Sequence, residues 1–116
     1  MKRDLSLFID DIIENIVLIE NSTKGASKNL FRFDADKRDA TLRRLEIIGE
    51  AVKNLPESFR KKHPKIPWKD IAGFRDKLTH AYFGVDLERV WNIIKQDIPV
   101  LKKQMKKIKE ELKNEK

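Results

Sequence analysis

The chain has 116 residues, of which 40% are hydrophobic and 39% charged, and it carries a formal net charge of +7. This composition predicts one folded domain over residues 1–116 and excludes a disordered chain, while the absence of cysteine excludes disulfides and thiolate zinc sites. Asp10, Asp11 and Glu14 interrupt the apolar N-terminal stretch, so we expect neither a signal peptide nor a membrane span, and we expect a cytoplasmic protein.

The first helix is indicated by apolar residues at three- and four-residue steps, which form one continuous stripe on a helix of 3.6 residues per turn. We predict this helix from about residue 3 to residue 21, followed by a polar loop over residues 21–29. The stripe comprises Leu5, Phe8, Ile9, Ile12, Ile13, Ile16 and Ile19.

A second helix is predicted to begin at Asp34 or Asp36, either of which can cap it, and to end before Pro56. Gly49 lies in its middle, at a cost of about 1 kcal/mol relative to alanine, and a glycine there often allows another helix to approach closely. Its apolar stripe comprises Leu42, Leu45, Ile48, Val52 and Leu55. Glu46 and Glu50 share one face of this helix, which is common on solvent-exposed helices.

The next segments predict short elements and then a third helix. Residues 57–62 favour a helical turn, and residues 63–67 favour an extended connection because of their prolines. Pro67 suits the first turn of a helix, which we expect to continue to about residues 82–84, where Gly84 can cap its end. Its inward face comprises Trp68, Ile71, Phe74 (or Ala72) and Leu78.

The last helix is predicted to begin at Asp86 and to be kinked or split by Pro99. Its stripe comprises Leu87, Val90, Trp91, Ile94, Ile98, Leu101, Met105, Ile108 and Leu112. The chain shows no strand pattern. We therefore predict an all-α protein, an antiparallel bundle of four to five helices with the last one kinked near Pro99.

The positive charge is unevenly distributed along the chain. Residues 53–77 contain eight Lys or Arg against three Asp or Glu, and residues 102–116 contain seven Lys against three Glu. Such clusters attract polyanions, above all nucleic acids. A solvated lysine-rich surface is the alternative interpretation.

The segment Arg75-Asp-Lys-Leu-Thr-His80-Ala-Tyr82 brings together the groups suited to phosphodiester chemistry. An arginine offers a fixed charge shaped for phosphate, and a histidine offers a proton that moves near pH 7. Arg75 and His80 lie about 140° apart on an ideal helix, so a loosened helix or a second subunit would help them converge.

Structural roles are the alternative for each of these residues. His80 could serve packing or the helix dipole, Arg75 could pair with Asp70 or Asp76, and Tyr82 could be a core or rim aromatic. His63 is interpreted as a solvated loop residue. We expect no metal site and no cofactor, because the chain has two histidines far apart, no cysteine and no glycine-rich phosphate loop.

The segment 75–82 resembles the HEPN superfamily, and more closely its HepT-like toxins, whose pattern is Arg-x4-His-x-Tyr. Three further blocks agree with that family in the same order, so the resemblance covers nearly the whole chain. These blocks are Arg44-Leu-Glu-Ile-Ile-Gly49-Glu50-Ala51, Ile66-Pro-Trp68-Lys-Asp-Ile71, and Val85-Asp86 with Val90-Trp91.

The resemblance implies a homodimeric, metal-independent endoribonuclease toxin of a type VII-like toxin–antitoxin pair, with RNA as substrate. Arg75 and His80 then match the catalytic pair, and Asp76 matches a supporting polar position that is often asparagine in relatives. Tyr82 matches the tyrosine that a partner nucleotidyltransferase antitoxin adenylylates in some members.

Two other hypotheses stay open at this point. The chain could be a non-catalytic HEPN module that partners a minimal nucleotidyltransferase, or a helical nucleic-acid-binding protein that uses residues 102–116 as an arm. A His80→Ala substitution separates these hypotheses from the ribonuclease. In an enzyme it would abolish RNA cleavage and leave RNA binding intact.

Overall fold

A computed structural model describes residues 5–74 and 87–114, except the side chain of Leu30. These residues are almost entirely helical and contain no strand, which confirms the prediction of an all-α helical bundle. None of the described helices is long and apolar enough to cross a membrane. The elements are α1 Leu5–Thr23, α2 Lys28–Phe33, α3 Ala35–Lys53, α4 Glu57–Lys61, α5 Trp68–Ala72, α6 Leu87–Asn92, a π-helical turn Ile93–Asp97, and α7 Ile98–Asn114.

The long helices α1, α3 and α7 form the frame of the bundle, and α1 contacts both of the others. Lys102 of α7 lies 2.7 Å from Glu20, and Lys109 lies 2.6 Å from Asp10, nearer the start of α1. Residue numbers therefore rise along α7 as they fall along α1. The two helices run antiparallel, as predicted.

Much of the core lies between these three helices, where it is built from the predicted stripes. A residue of this kind contributes about 1.5–3 kcal/mol when it is fully buried, so the stripes dominate the stability of the bundle. Leu5, Phe8 and Ile13 pack only at its edge. The buried members are Ile9, Ile12, Ile16 and Ile19 of α1, Leu42, Leu45, Ile48 and Val52 of α3, and Ile98, Leu101, Met105 and Ile108 of α7.

The connection between α1 and α3 differs from the predicted polar loop. The structure extends α1 to Thr23 and adds the short helix α2, whose Phe31 is buried against the Trp91 ring, 5.5 Å between centroids. Asp34 is the residue that caps α3, because its side chain accepts a hydrogen bond from the Lys37 amide at 3.0 Å. The choice left open between Asp34 and Asp36 is thus settled.

Residues 63–67 do not form the predicted extended connection. The amide of Ile66 donates to the His63 carbonyl at 3.2 Å, and the amide of His63 donates to the Arg60 carbonyl at 3.1 Å. The indole of Trp68 donates to the same two carbonyls, at 3.0 and 3.1 Å. These bonds fold the segment into a turn, and the buried Trp68 explains why it is compact.

The interruption predicted near Pro99 is a π-helical turn at Ile93–Asp97. The Ile98 amide donates to the Ile93 carbonyl, one residue farther back than in an α-helix. Proline disrupts the turn before it, since its ring meets the carbonyl four residues earlier. The wider turn buries both Ile93 and Ile94, whereas the sequence predicted only Ile94 as a core residue.

The predicted third helix is interrupted at Gly73, and Phe74 is helical again. Pro67 precedes α5, as predicted, but α5 ends at Ala72 and Gly73 caps it. Trp68, Ile71 and Phe74 are buried, in agreement with the predicted inward face. Leu78, the helix end near residues 82–84 and the Asp86 cap lie outside the described residues.

Candidate functional site

The predicted site residues Arg75, Asp76, His80 and Tyr82 lie outside the described residues, so their geometry stays a prediction. The structure does define what precedes and follows them. Phe74, which immediately precedes Arg75 in the chain, is 3% exposed and belongs to the core. The chain that enters the motif is thus anchored by a buried aromatic ring.

The end of α5 is held close to the middle of α3. A Cβ atom added to Gly49 would lie 3.1 Å from the Ile71 carbonyl oxygen and 3.5 Å from that of Ala72. Only glycine leaves room for the backbone to approach this closely without displacement. The mid-helix glycine therefore allows the close helix approach that the sequence predicted.

A cleft of about 310 Å³ opens beside this contact, and we call it the α3 cleft. It is lined by Asp11 of α1, Arg43, Glu46 and Glu50 of α3, and Ala72 of α5. Sequence reasoning assigned no function to Glu46 and Glu50, yet both face this cleft. Its charged lining is mixed, with carboxylates and cations side by side, so it is not a simple phosphate pocket.

A second cleft of about 310 Å³ joins the two lysine-rich segments, and we call it the basic cleft. Lys62, His63 and Lys65 line one side, and Gln104 and Lys107 of α7 line the other. His63 is half-buried and its ring lies 5.0 Å from that of Phe59, between centroids. His63 was interpreted as a solvated loop residue. It is instead packed into a cleft wall.

An exposed ion pair lies just after the predicted motif. Lys28 Nζ is 2.6 Å from Glu88 Oε1, which joins α2 to α6. The hydrogen bond from Lys28, followed by its charge, lowers the pKa of Glu88 below its ordinary value of 4.5. Among residues 5–74 and 87–114, no group of three or more His, Asp or Glu side chains is placed to hold a metal ion.

A model of the HepT-like ribonuclease family matches residues 12–108, a range that runs from α1 to α7 and includes the predicted motif. The chain belongs to this family. The HepT-like match thus agrees with the resemblance seen in the four sequence blocks, and with a helical bundle. No solved structure matches the chain significantly.

Curated relatives are nearly half identical to this chain over the regions that align. A protein of Thermococcus cleftensis named "Probable ribonuclease HepT" is 47% identical over 94% of this chain and 99% of its own length. A protein of Methanocaldococcus jannaschii, named as a gamma-glutamylcyclotransferase and candidate RNase, is 48% identical over 97% of this chain. The chain spans only 50% of the length of that second protein.

Proposed function

We propose that this HepT-like chain is a metal-independent endoribonuclease toxin that cleaves RNA through Arg75 and His80. The observation that carries the proposal is the family match over residues 12–108, which contains the Arg75-x4-His80-x-Tyr82 pattern. The names of the relatives, which include ribonuclease or RNase, support the same reaction class. The anchored Phe74 and the close packing of α5 on Gly49 supply a rigid support for the start of the motif.

The proposed reaction uses the nucleophile that RNA itself carries. His80 takes the proton from a ribose 2′-OH, the 2′ oxygen attacks the adjacent phosphorus, and the bond from phosphorus to the 5′ oxygen breaks. The leaving 5′ oxygen takes up a proton, so the products are a 2′,3′-cyclic phosphate and a 5′-OH. Acid–base catalysis of this kind typically contributes about 10²–10⁴-fold.

Arg75 has the electrostatic role in this mechanism. Its guanidinium donates charge-assisted hydrogen bonds to the phosphoryl oxygens, which carry more negative charge in the transition state than in the substrate. Asp76 supports the arginine in the position that relatives often fill with asparagine. A homodimer would bring two copies of the motif to one groove, so that one histidine accepts a proton and the other supplies one.

Regulation is proposed to act on Tyr82. A nucleotidyltransferase antitoxin would transfer AMP from ATP to its hydroxyl and release pyrophosphate, which places a bulky anion two residues from His80. That anion would block the site and repel the RNA backbone. Co-expression of the chain with such an antitoxin should add the mass of AMP to the wild type and leave Tyr82→Phe unmodified.

A fully 2′-O-methylated substrate, compared with RNA of the same sequence, tests the cleavage mechanism directly. RNA should be cut in EDTA to fragments with cyclic phosphate ends, and the same sequence with 2′-O-methyl groups throughout should stay intact. Cleavage of the methylated strand would overturn the mechanism.

The alternative function is a non-catalytic partner of a nucleotidyltransferase, which the carboxylate at Asp76 favours because it departs from the family pattern. Intact RNA with unmodified protein, together with co-purification of that enzyme, would support it.

A further inference from the structure

The basic cleft is built from two segments that are about 40 residues apart in the chain, which makes it a product of the fold. The turn after α4 supplies Lys62, His63 and Lys65, and α7 supplies Gln104 and Lys107. Its volume of about 310 Å³ lies at the lower end of the range for sites that hold small ligands. One nucleotide unit is an appropriate occupant for a space of this size.

The lysines of this cleft make no ion pair with a described carboxylate, whereas two lysines elsewhere on α7 do. Lys102 and Lys109 contact Glu20 and Asp10 of α1. Among the described residues, Lys62, Lys65 and Lys107 have no carboxylate within 4.0 Å of their ammonium groups. Glu111 also lines the cleft, so three cations face one carboxylate. The cleft has a positive charge that an anion can neutralise.

The cleft wall is also held rigidly before any ligand arrives. The Trp68 indole binds the carbonyls of Arg60 and His63, and the Ile66 amide binds the His63 carbonyl. The His63 ring packs against Phe59. A site fixed by such bonds loses little conformational entropy when it binds a ligand.

A third cleft, of about 280 Å³, extends from the basic cleft to Phe74, the last described residue before the proposed catalytic segment. Lys65 and Gln104 line both clefts, and the third cleft extends to Phe74, which directly precedes Arg75. Its wall includes the apolar Val100, which is 55% exposed. Asp70 and Asp97 also line it. An apolar surface between carboxylates suits bases and is unfavourable for phosphates.

We propose that the basic cleft binds the phosphate backbone of single-stranded RNA and leads the strand along the third cleft to Phe74, the residue that precedes Arg75 in the chain. Phosphates contact Lys62, Lys65 and Lys107, and bases pack on the apolar wall between Lys65 and Phe74. A lysine that contacts a phosphate reads no base edge, so this contact is independent of sequence. The role of this path in cleavage rests on the proposed function, whereas the binding itself does not.

Two triple variants with the same change in charge test the proposal. The first is Lys62→Gln/Lys65→Gln/Lys107→Gln. The matched control is Lys103→Gln/Lys106→Gln/Lys113→Gln, which neutralises three exposed lysines of α7 that do not line the basic cleft. Affinity for a fluorescent single-stranded 2′-O-methyl RNA is measured by anisotropy at several salt concentrations, and thermal melts check that each variant folds.

We expect the first variant to bind RNA about tenfold or more weakly than the wild type. The slope of log K against log salt should fall by about 2, because each phosphate that a lysine no longer neutralises removes about 0.7 from it. The control should bind less than about threefold more weakly. Equal effects in both variants, or no effect in the first, would overturn the proposal. The proposal would also be overturned if the first variant kept its RNA affinity but bound polyglutamate more weakly. The cleft would then serve to bind an acidic protein.

The proposed function can fail independently of this test. If wild-type protein that carries no added AMP binds the methylated RNA through the basic cleft and cleaves no unmethylated RNA, the binding inference stands and the ribonuclease proposal falls. If the wild type cleaves RNA and the first variant binds as tightly as the control, the ribonuclease proposal stands and the basic cleft has no part in it.

Discussion

The carbonyl oxygen of Ile71 lies 3.1 Å from the point that a Cβ atom on Gly49 would occupy. Both contact atoms on α5, the carbonyl oxygens of Ile71 and Ala72, belong to the backbone and cannot rotate away. Any side chain at Gly49 therefore has to displace the end of α5. Because Arg75 follows α5 by three residues, this contact couples the packing of α3 to the support of the proposed site.

A Gly49→Ala substitution should destabilise the protein despite the better helix propensity of alanine. Alanine gains about 1 kcal/mol in helix propensity, while overpacking of a tight contact costs about 1–3 kcal/mol. We expect a net loss of about 1 kcal/mol in the free energy of unfolding, measured by urea denaturation, and a loss of RNA cleavage. Lys53→Ala, an exposed change on the same helix, is the control. A gain in stability for Gly49→Ala would contradict the account.

The cap of α3 predicts a second effect on stability. Asp34→Ala removes the acceptor of the Lys37 amide and should cost about 1 kcal/mol in the free energy of unfolding. Asp34→Asn retains a side-chain oxygen and should cost much less. Equal losses for both variants would show that the hydrogen bond at this cap is not what stabilises the helix.

The indole of Trp68 predicts a role in fixing the turn at residues 63–67. Trp68→Phe keeps an aromatic ring but removes the donor to the Arg60 and His63 carbonyls, which should cost about 1–3 kcal/mol in the free energy of unfolding. The control is Trp91→Phe, the same substitution at a tryptophan whose ring packs against Phe31 and Lys95. Faster hydrogen exchange at the Ile66 amide in Trp68→Phe alone would locate the effect, and equal exchange in both variants would argue against it.

The pair of Lys28 and Glu88 predicts a pH dependence. Lys28 lowers the pKa of Glu88 in the folded protein, so the stabilisation from this pair is present above the ordinary value of 4.5 and is lost as the pH falls through the lowered pKa. An NMR titration of the Glu88 carboxyl should show this pKa rising toward 4.5 in Lys28→Gln. Identical titrations in both proteins would show that the pair does not form in solution.

The sequence predicted the long helices well, because the residues that one face of a helix buries must recur at the helical period. Most residues of α1, α3 and α7 that recur every three or four positions are buried in the structure. The helix α2 escaped prediction since its six residues cover fewer than two turns and cannot show a period. Pro99 predicted an interruption of the last helix, but not that a π-helical turn would accommodate it and bury Ile93.

The candidate site also has a part that the sequence could predict and a part that it could not. Arg75, His80 and Tyr82 were identified from residue type and from family resemblance, which need no tertiary structure. The clefts of the bundle could not be predicted, because Glu50 and Asp11, or Lys62 and Lys107, become neighbours only when distant segments pack together. No local spacing encodes such a contact.

The most direct test of the central claim is RNA cleavage in EDTA by the purified wild type beside His80→Ala, with the intact mass of both proteins recorded. The account predicts cleavage by the wild type alone, cyclic phosphate ends on the products, and RNA affinity unchanged in His80→Ala. Absence of cleavage by wild-type protein of unmodified mass, or equal cleavage by His80→Ala, would contradict it.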